Sequence, residues 1–320
     1  MSPTTLFLQL LVEGLVIGSI YSLVALGYTM VYGIIELINF AHGDIFMMGT
    51  LVSLFMVTNI FHLSDVSKMP FGNMLAMLVI TCLASIVVCA LLGVLIERVA
   101  YRPLRNAPRL APLISAIGVS LALEDIAKAL IGPNPVAAPY MVPLVHYNIG
   151  SIDITNTDII VLVVALVLMV GLQWLVTSTR IGRAMRAVAQ DREAAALMGV
   201  NVDRVIAITF LIGAGIAGAG GFVFLLSTNN TVFNVGFELG LFAFTAAVLG
   251  GIGNLVGAML GGLVIGLIRA MVTYIPDRDL PFGLPHGGVA WQDAAVFAIL
   301  ILILVFRPTG LLGQQLAEKV

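Results

Sequence analysis

The chain has 320 residues, 60% of them hydrophobic and only 10% charged, with a formal net charge of −2 at pH 7 and a mean hydropathy of +1.09. Soluble globular domains carry about 25% charged residues, so this chain has too little polar surface to face water all round, and a soluble fold is excluded. The apolar runs are continuous and close to the length that a hydrocarbon core requires, without the alternation of barrel strands, which also excludes a transmembrane β-barrel.

In chain order the apolar runs fall at Leu6–Ile34, Ile38–Ile60, Phe71–Ile96, Leu110–Ile131, Asp158–Thr177, Val205–Leu226, Leu239–Gly251, Val256–Thr273 and Trp291–Phe306. The expected fold is an all-α polytopic membrane bundle of eight or nine spans, with broken or re-entrant segments, forming a single transmembrane domain over residues 1–320. Leu239–Gly251 is the ambiguous run: as a full span it gives nine crossings, and as a re-entrant segment it gives eight. Leu110–Ile131 contains Glu124, Asp125 and Lys128 and is expected to be a short or partly buried span.

No Lys or Arg precedes Lys68, so a cleavable signal peptide with a basic n-region is not expected. Span one carries Gly14-xxx-Gly18, a spacing that lets two helices approach closely. Cys82 and Cys89 lie seven apart on one helix face, too far to bridge and too few for a metal, and read as packing residues. Val136–Thr157 reads as a long loop with short β-like pieces, and Tyr274–Ala290 as a Pro/Gly loop.

Two arginine clusters set the orientation. Glu97–Arg109 holds Arg98, Arg102, Arg105 and Arg109, with Pro103 and Pro108 interrupting a helix; Arg180–Arg204 holds Arg180, Arg183, Arg186, Arg192 and Arg204. Basic residues in short loops favour the cytoplasm. Both clusters are therefore expected inside, two crossings apart, with the N-terminus outside.

Three stretches could carry function. Asn39-Phe40-Ala41-His42-Gly43-Asp44 opens the second span. Polar groups at membrane depth usually border water or protein, and Gly43 eases local unwinding. Asn39, His42, Gly43 and Asp44 therefore either line a permeation route from a broken helix, or merely cap a helix at the interface. Small-residue ladders at Gly213–Gly221 and at Gly253, Gly257, Gly261, Gly262 and Gly266 favour tight helix packing.

The third stretch lies within the 180–204 loop. Asp191 is a plausible N-cap, Glu193 sits where the helix dipole favours an anion, and Gly199 is a plausible stop. Between them Ala194, Leu197 and Met198 fall at i, i+3 and i+4, one small apolar face suited to a groove on a partner; the alternative is an ordinary loop with snorkelling arginines. No Walker A, H-E-x-x-H or Gly-x-Ser-x-Gly occurs. Uphill transport would need an ion gradient or another subunit.

Glu193-Ala194-Ala195, followed by Gly199, resembles the cytoplasmic EAA signature of ABC-importer permeases, although the usual Ile-x-Leu-Pro continuation is absent. Gly27–Gly49, Glu97–Arg105 (ERVAYRPLR), Leu113–Gly118 and Ala243–Gly266 closely resemble the LivH-type permeases of high-affinity branched-chain amino-acid transporters, nearly over the whole chain. The resemblance implies a bacterial cytoplasmic-membrane subunit that is not itself an enzyme. It implies a second, related permease as partner, two cytoplasmic ATPases that use ATP and Mg, and a periplasmic binding protein; no cofactor on this chain and no nucleic acid are expected. Asp191, Arg192, Glu193, Ala194, Ala195, Leu197, Met198 and Gly199 would form the ATPase-coupling helix. Leu, Ile and Val are the implied substrates, with urea, amides and other amino acids carried by related permeases. A self-contained ion-coupled secondary transporter is the alternative reading, motivated by the break at Asn39–Asp44.

Overall fold

The structure is a computed structural model that describes residues 3–35, 39–63, 66–105, 107–108, 110–149, 152–275 and 288–313. Eleven helices organise these residues: α1 (Pro3–Ile35), α2 (Ala41–Phe55), α3 (Phe71–Ile96), α4 (Leu110–Ile131), α5 (Asn156–Ser178), α6 (Arg180–Gln190), α7 (Arg192–Leu197), α8 (Val202–Thr228), α9 (Val235–Gly250), α10 (Leu255–Thr273) and α11 (Gly288–Phe306). Wide π-helical turns extend α2 through Met56–Ile60 and α3 through Glu97–Tyr101. Eight of the helices, counted with these extensions, are long and apolar enough to cross a membrane.

Helices α1, α2 and α8 are the most buried, while α3, α4, α5 and α11 turn large apolar faces outward. In a chain this apolar, those faces suit lipid or a neighbouring subunit. The expected packing role of the small-residue ladders is borne out. A Cβ on Gly14 or Gly18 would lie 2.8 Å from the Cα of Leu267 or Leu263, so the two backbones of α1 and α10 run against each other. The Ser22 hydroxyl donates across this seam to the Met259 carbonyl at 2.7 Å. On the other side of the core, the Ser85 hydroxyl donates to the Gly218 carbonyl at 2.7 Å, tying α3 to α8. Cys89 is buried with its thiol 3.4 Å from the Ile45 carbonyl, and both cysteines are free, as packing residues would be.

Two small antiparallel ribbons mark one face: β1 (Val136–Ala137) pairs with β4 (Asn230–Thr231), and β2 (His146–Ile149) pairs with β3 (Ile152–Thr155). The start of α1 belongs to this face, because the Gln9 side chain exchanges hydrogen bonds of 3.0 and 3.1 Å with the Asp153 backbone. The opposite face carries the two arginine clusters and the Gly250–Asn254 corner.

Leu110–Ile131 is one unbroken 22-residue helix and is partly buried, as one of the two expected alternatives had it. Two other expectations need correction. The ambiguous run Leu239–Gly251 begins earlier, at Val235, and forms a 16-residue helix of about 24 Å. It is too short to count as a span by length and begins inside the bundle, where Gly236 packs on Gly43 of α2; β4 precedes it, and its C-terminal end meets Leu311 and Leu312, whose N–H groups donate to the Leu249 and Gly250 carbonyls at 2.8 and 3.0 Å. The 180–204 segment, expected to hold one short helix, holds two. Gly182, Met185 and Val188 of α6 are buried at three-residue spacing while its arginines stay exposed, so α6 lies as an amphipathic helix against the bundle. Most of Tyr274–Ala290, Arg109 and the end of the tail lie outside the described residues.

Candidate functional site

The head of α2 lies within the bundle. Asn39, His42 and Asp44 are at most 2% exposed, and Gly43 is buried with them. The His42 ring sits edge-on to Tyr28 at 4.8 Å and fills the space a side chain on Gly27 would need. Gly27 lies eight residues before the end of α1, so α2 starts roughly 12 Å up from that end. Phe40 at the N-cap makes no side-chain capping bond. His42 and Asp44 both lie deep among other helices, which speaks against a mere cap at the membrane interface.

Each polar side chain of the motif is only half satisfied. Asn39 Oδ1 accepts from the Tyr101 hydroxyl at 2.8 Å, and Asp44 Oδ2 accepts from the Ser120 hydroxyl. Asn39 Nδ2, His42 Nε2 and Asp44 Oδ1 find no hydrogen-bond partner, and neither does the nearby Thr29 hydroxyl. Buried polar atoms are paired in the great majority of structures, so a group of unpaired ones marks a place that polar molecules visit or that repacks. Gly43 meets α9 at backbone distance, since a Cβ there would stand 2.3 Å from the Gly236 carbonyl oxygen. A narrow cleft lined by Tyr28, Tyr32, Asn39, Phe244, Ala247 and Ile252 runs up to this point and touches Asn39 alone among the four motif residues.

At the cluster face, α7 is built as the residue types demand. Asp191 Oδ1 accepts from the N–H groups of Glu193 and Ala194, both at 3.0 Å. Gly199 adopts φ +82°, and the N–H groups of Gly199 and Val200 close on the Ala196 and Ala195 carbonyls at 3.0 Å. Ala195 is buried against the bundle, and the Arg192 guanidinium donates to the Ile34 carbonyl of α1 at 2.7 Å. Glu193 and Ala194 face outward, and Leu197 and Met198 are 89% and 84% exposed. Two large apolar side chains thus stand free on a polar, arginine-rich surface.

Sequence reasoning missed a network between the two clusters. Arg105 pairs with both Glu97 and Asp203, and Arg102 reaches Asp203 Oδ2 at 2.9 Å. Asp203 is 101 and 98 positions from Arg102 and Arg105 in the chain, so no local signal exposes those pairs; Glu97 is only eight residues from Arg105. The Arg269 guanidinium was missed as well: it lies 4.2 Å over the Phe242 ring and donates to the Tyr21 hydroxyl. No cluster of metal-ligating side chains exists among the described residues.

The comparisons with known proteins bear on this arrangement. The profile described as branched-chain amino acid transport system / permease component matches residues 10–304. The chain belongs to this permease family. It is 41% identical to the high-affinity branched-chain amino acid transport system permease protein BraD of Pseudomonas aeruginosa and 40% identical to the corresponding LivH protein of Escherichia coli K12, in each case over 98% of both chains. A weaker match, 28% identity over 43% of this chain and 41% of the other, is to a probable branched-chain amino acid transport permease protein LivM of Methanocaldococcus jannaschii. No solved structure matches.

The permease is thus a multi-pass membrane subunit of an ABC transport system with no catalytic activity of its own, and such a system supplies ATPase and binding-protein partners. The self-contained secondary transporter is set aside by this membership.

Proposed function

We propose that this permease carries Leu, Ile and Val inward across the bacterial cytoplasmic membrane, driven by ATPases that dock on α7. The observation that carries the reading is the exposed Leu197–Met198 pair on a helix capped at both ends, by Asp191 and Gly199. A short rigid helix with a small apolar face is the kind of element that seats in a groove. Ala194 on the same face allows close approach, Glu193 complements the helix dipole, and Ala195 and Arg192 hold the helix to the bundle.

One ATPase would sit below this chain and a second below a related permease, whose existence is supported by the partial LivM likeness. ATP and Mg are used by those subunits. A periplasmic binding protein delivers the substrate to the ribbon face, and Asn39, His42, Gly43 and Asp44 border the passage further in. A zwitterion with an apolar side chain asks for a few polar contacts rather than a ring of charge, and the half-satisfied Asn39 amide, His42 imidazole and Asp44 carboxylate at the head of α2 offer them.

The test replaces Leu197 and Met198 together by Asp and purifies the assembled transporter. The ATPases are expected to dissociate while the permease remains in the membrane. Undiminished co-purification of the ATPases would remove α7 as their seat.

A further inference from the structure

We propose that the Glu97–Arg105 segment is the transmission between α7 and the head of α2, passing movement of the cytoplasmic helix through Asp203, Arg105, Glu97 and Tyr101 to Asn39. The inference rests on the reading of α7 as the ATPase seat and adds what that seat moves.

The contacts form an unbroken series. Gly199 ends α7, and three residues later Val202 begins α8, with Asn201 capping it by accepting from the Arg204 N–H at 3.0 Å. Asp203 in that first turn therefore moves with α7. Its carboxylate is held by Arg102 and Arg105 of the opposite cluster. Arg105 in turn grips Glu97, which is only 3% exposed. The Arg105 Nε atom has no partner of its own, so two carboxylates set the position of this side chain.

Glu97 opens the π-helical turn that ends at Tyr101. Such a turn is a local widening of the helix and is frequent at functional sites. Tyr101 is buried, its ring 5.2 Å from Phe210 of α8, and its hydroxyl donates to Asn39 Oδ1. The far end of the series is thus one hydrogen bond from the first residue of the polar motif. The near end is solvent-exposed and salt-sensitive, with Asp203 and Arg102 about half exposed, while the inner links are desolvated.

The experiment uses the complete transporter in proteoliposomes and reads amino acid taken up per ATP hydrolysed. Asp203→Asn breaks the near joint and Tyr101→Phe breaks the far one. Each is expected to lower the ratio roughly two- to thirty-fold, the range of couplings along such contact chains, with the ATPases still bound. The double variant should fall no further than the worse single, because a series broken once is already broken. Asp203→Glu, which keeps the carboxylate, should restore most of the ratio. Multiplying losses, or unchanged ratios in both singles, would overturn the proposal, as would a loss in Arg192→Gln with none in Asp203→Asn, which would route movement through α1.

A second measurement guards against poor insertion of the Tyr101 variant. A cysteine replacing Phe40, in a background lacking Cys82 and Cys89, should change its thiol reactivity on ATP addition in the parent protein and lose that response with Asp203→Asn. A retained response would equally overturn the transmission. Failure of the α7 seat itself would appear separately, as ATPases that stay bound to the Leu197/Met198 double Asp variant.

Discussion

Gly199 and Gly43 show how single residues hold α7 and the head of α2. Gly199 sits at φ +82° with no heavy atom within 4 Å of the position a Cβ would take, so its constraint is conformational rather than steric. An L-residue in the left-handed region costs roughly 1–2 kcal/mol. Gly199→Val should therefore unwind the last turn of α7 and reduce uptake several-fold while leaving the protein in the membrane; normal uptake in cells expressing it would refute the docking assignment. Gly43 is the reverse case. Its helical backbone is unstrained, but a methyl group would stand 2.3 Å from the Gly236 carbonyl oxygen and 2.9 Å from the Gly240 Cα. Overpacking of this kind typically costs about 1–3 kcal/mol. Gly43→Ala should lower the thermal midpoint of the detergent-solubilised protein, where Gly72→Ala, facing open space, should not. Equal midpoints would mean that α2 and α9 do not pack as described.

Among elements, the split between what the sequence made legible and what it hid follows the range of the interactions. The α7 cap, stop and apolar face are local chemistry, and Asp191, Gly199, Ala194, Leu197 and Met198 all stand where residue type demands. The depth of Asn39, His42 and Asp44 was open because no local pattern states which helix lies alongside; Gly27 and Tyr28 of α1 decide it. Helix α6 was hidden by its arginines, which read as loop, although Gly182, Met185 and Val188 carry the helical period beneath them. At the head of α2, the reading predicts that cysteines at Asn39 and His42 are protected at rest, since both positions are at most 2% exposed, and react with water-soluble thiol reagents during ATP-driven turnover. Protection of both throughout turnover would exclude them from the passage.

At the scale of the whole molecule, the eight-or-nine ambiguity resolves into a statement about faces. The eight long helices and the short α9 alternate in direction, and α9 can be short because the residues before it already descend from the ribbon face: the Thr231 hydroxyl lies 2.6 Å from that of Thr50, inside α2. The chain from Arg307 to Gly313 then returns to the Gly250–Asn254 corner, where the Asn254 side chain donates to the Leu312 carbonyl at 2.8 Å. Gly33, next to the Ile34 that Arg192 contacts, lies 3.5 Å from Gly253 when given a Cβ, so this corner shares the face of α7. Arginines in short connections favour the cytoplasmic side, and Arg307 joins the two clusters there. A cysteine at Leu312 in a cysteine-free background should therefore be labelled by an impermeant reagent only from the cytoplasmic side of sealed vesicles, and one at Tyr147, half exposed on β2, only from the other. Labelling of both positions from one side would show that α9 folds back without crossing and would place α10 and α11 in the opposite direction.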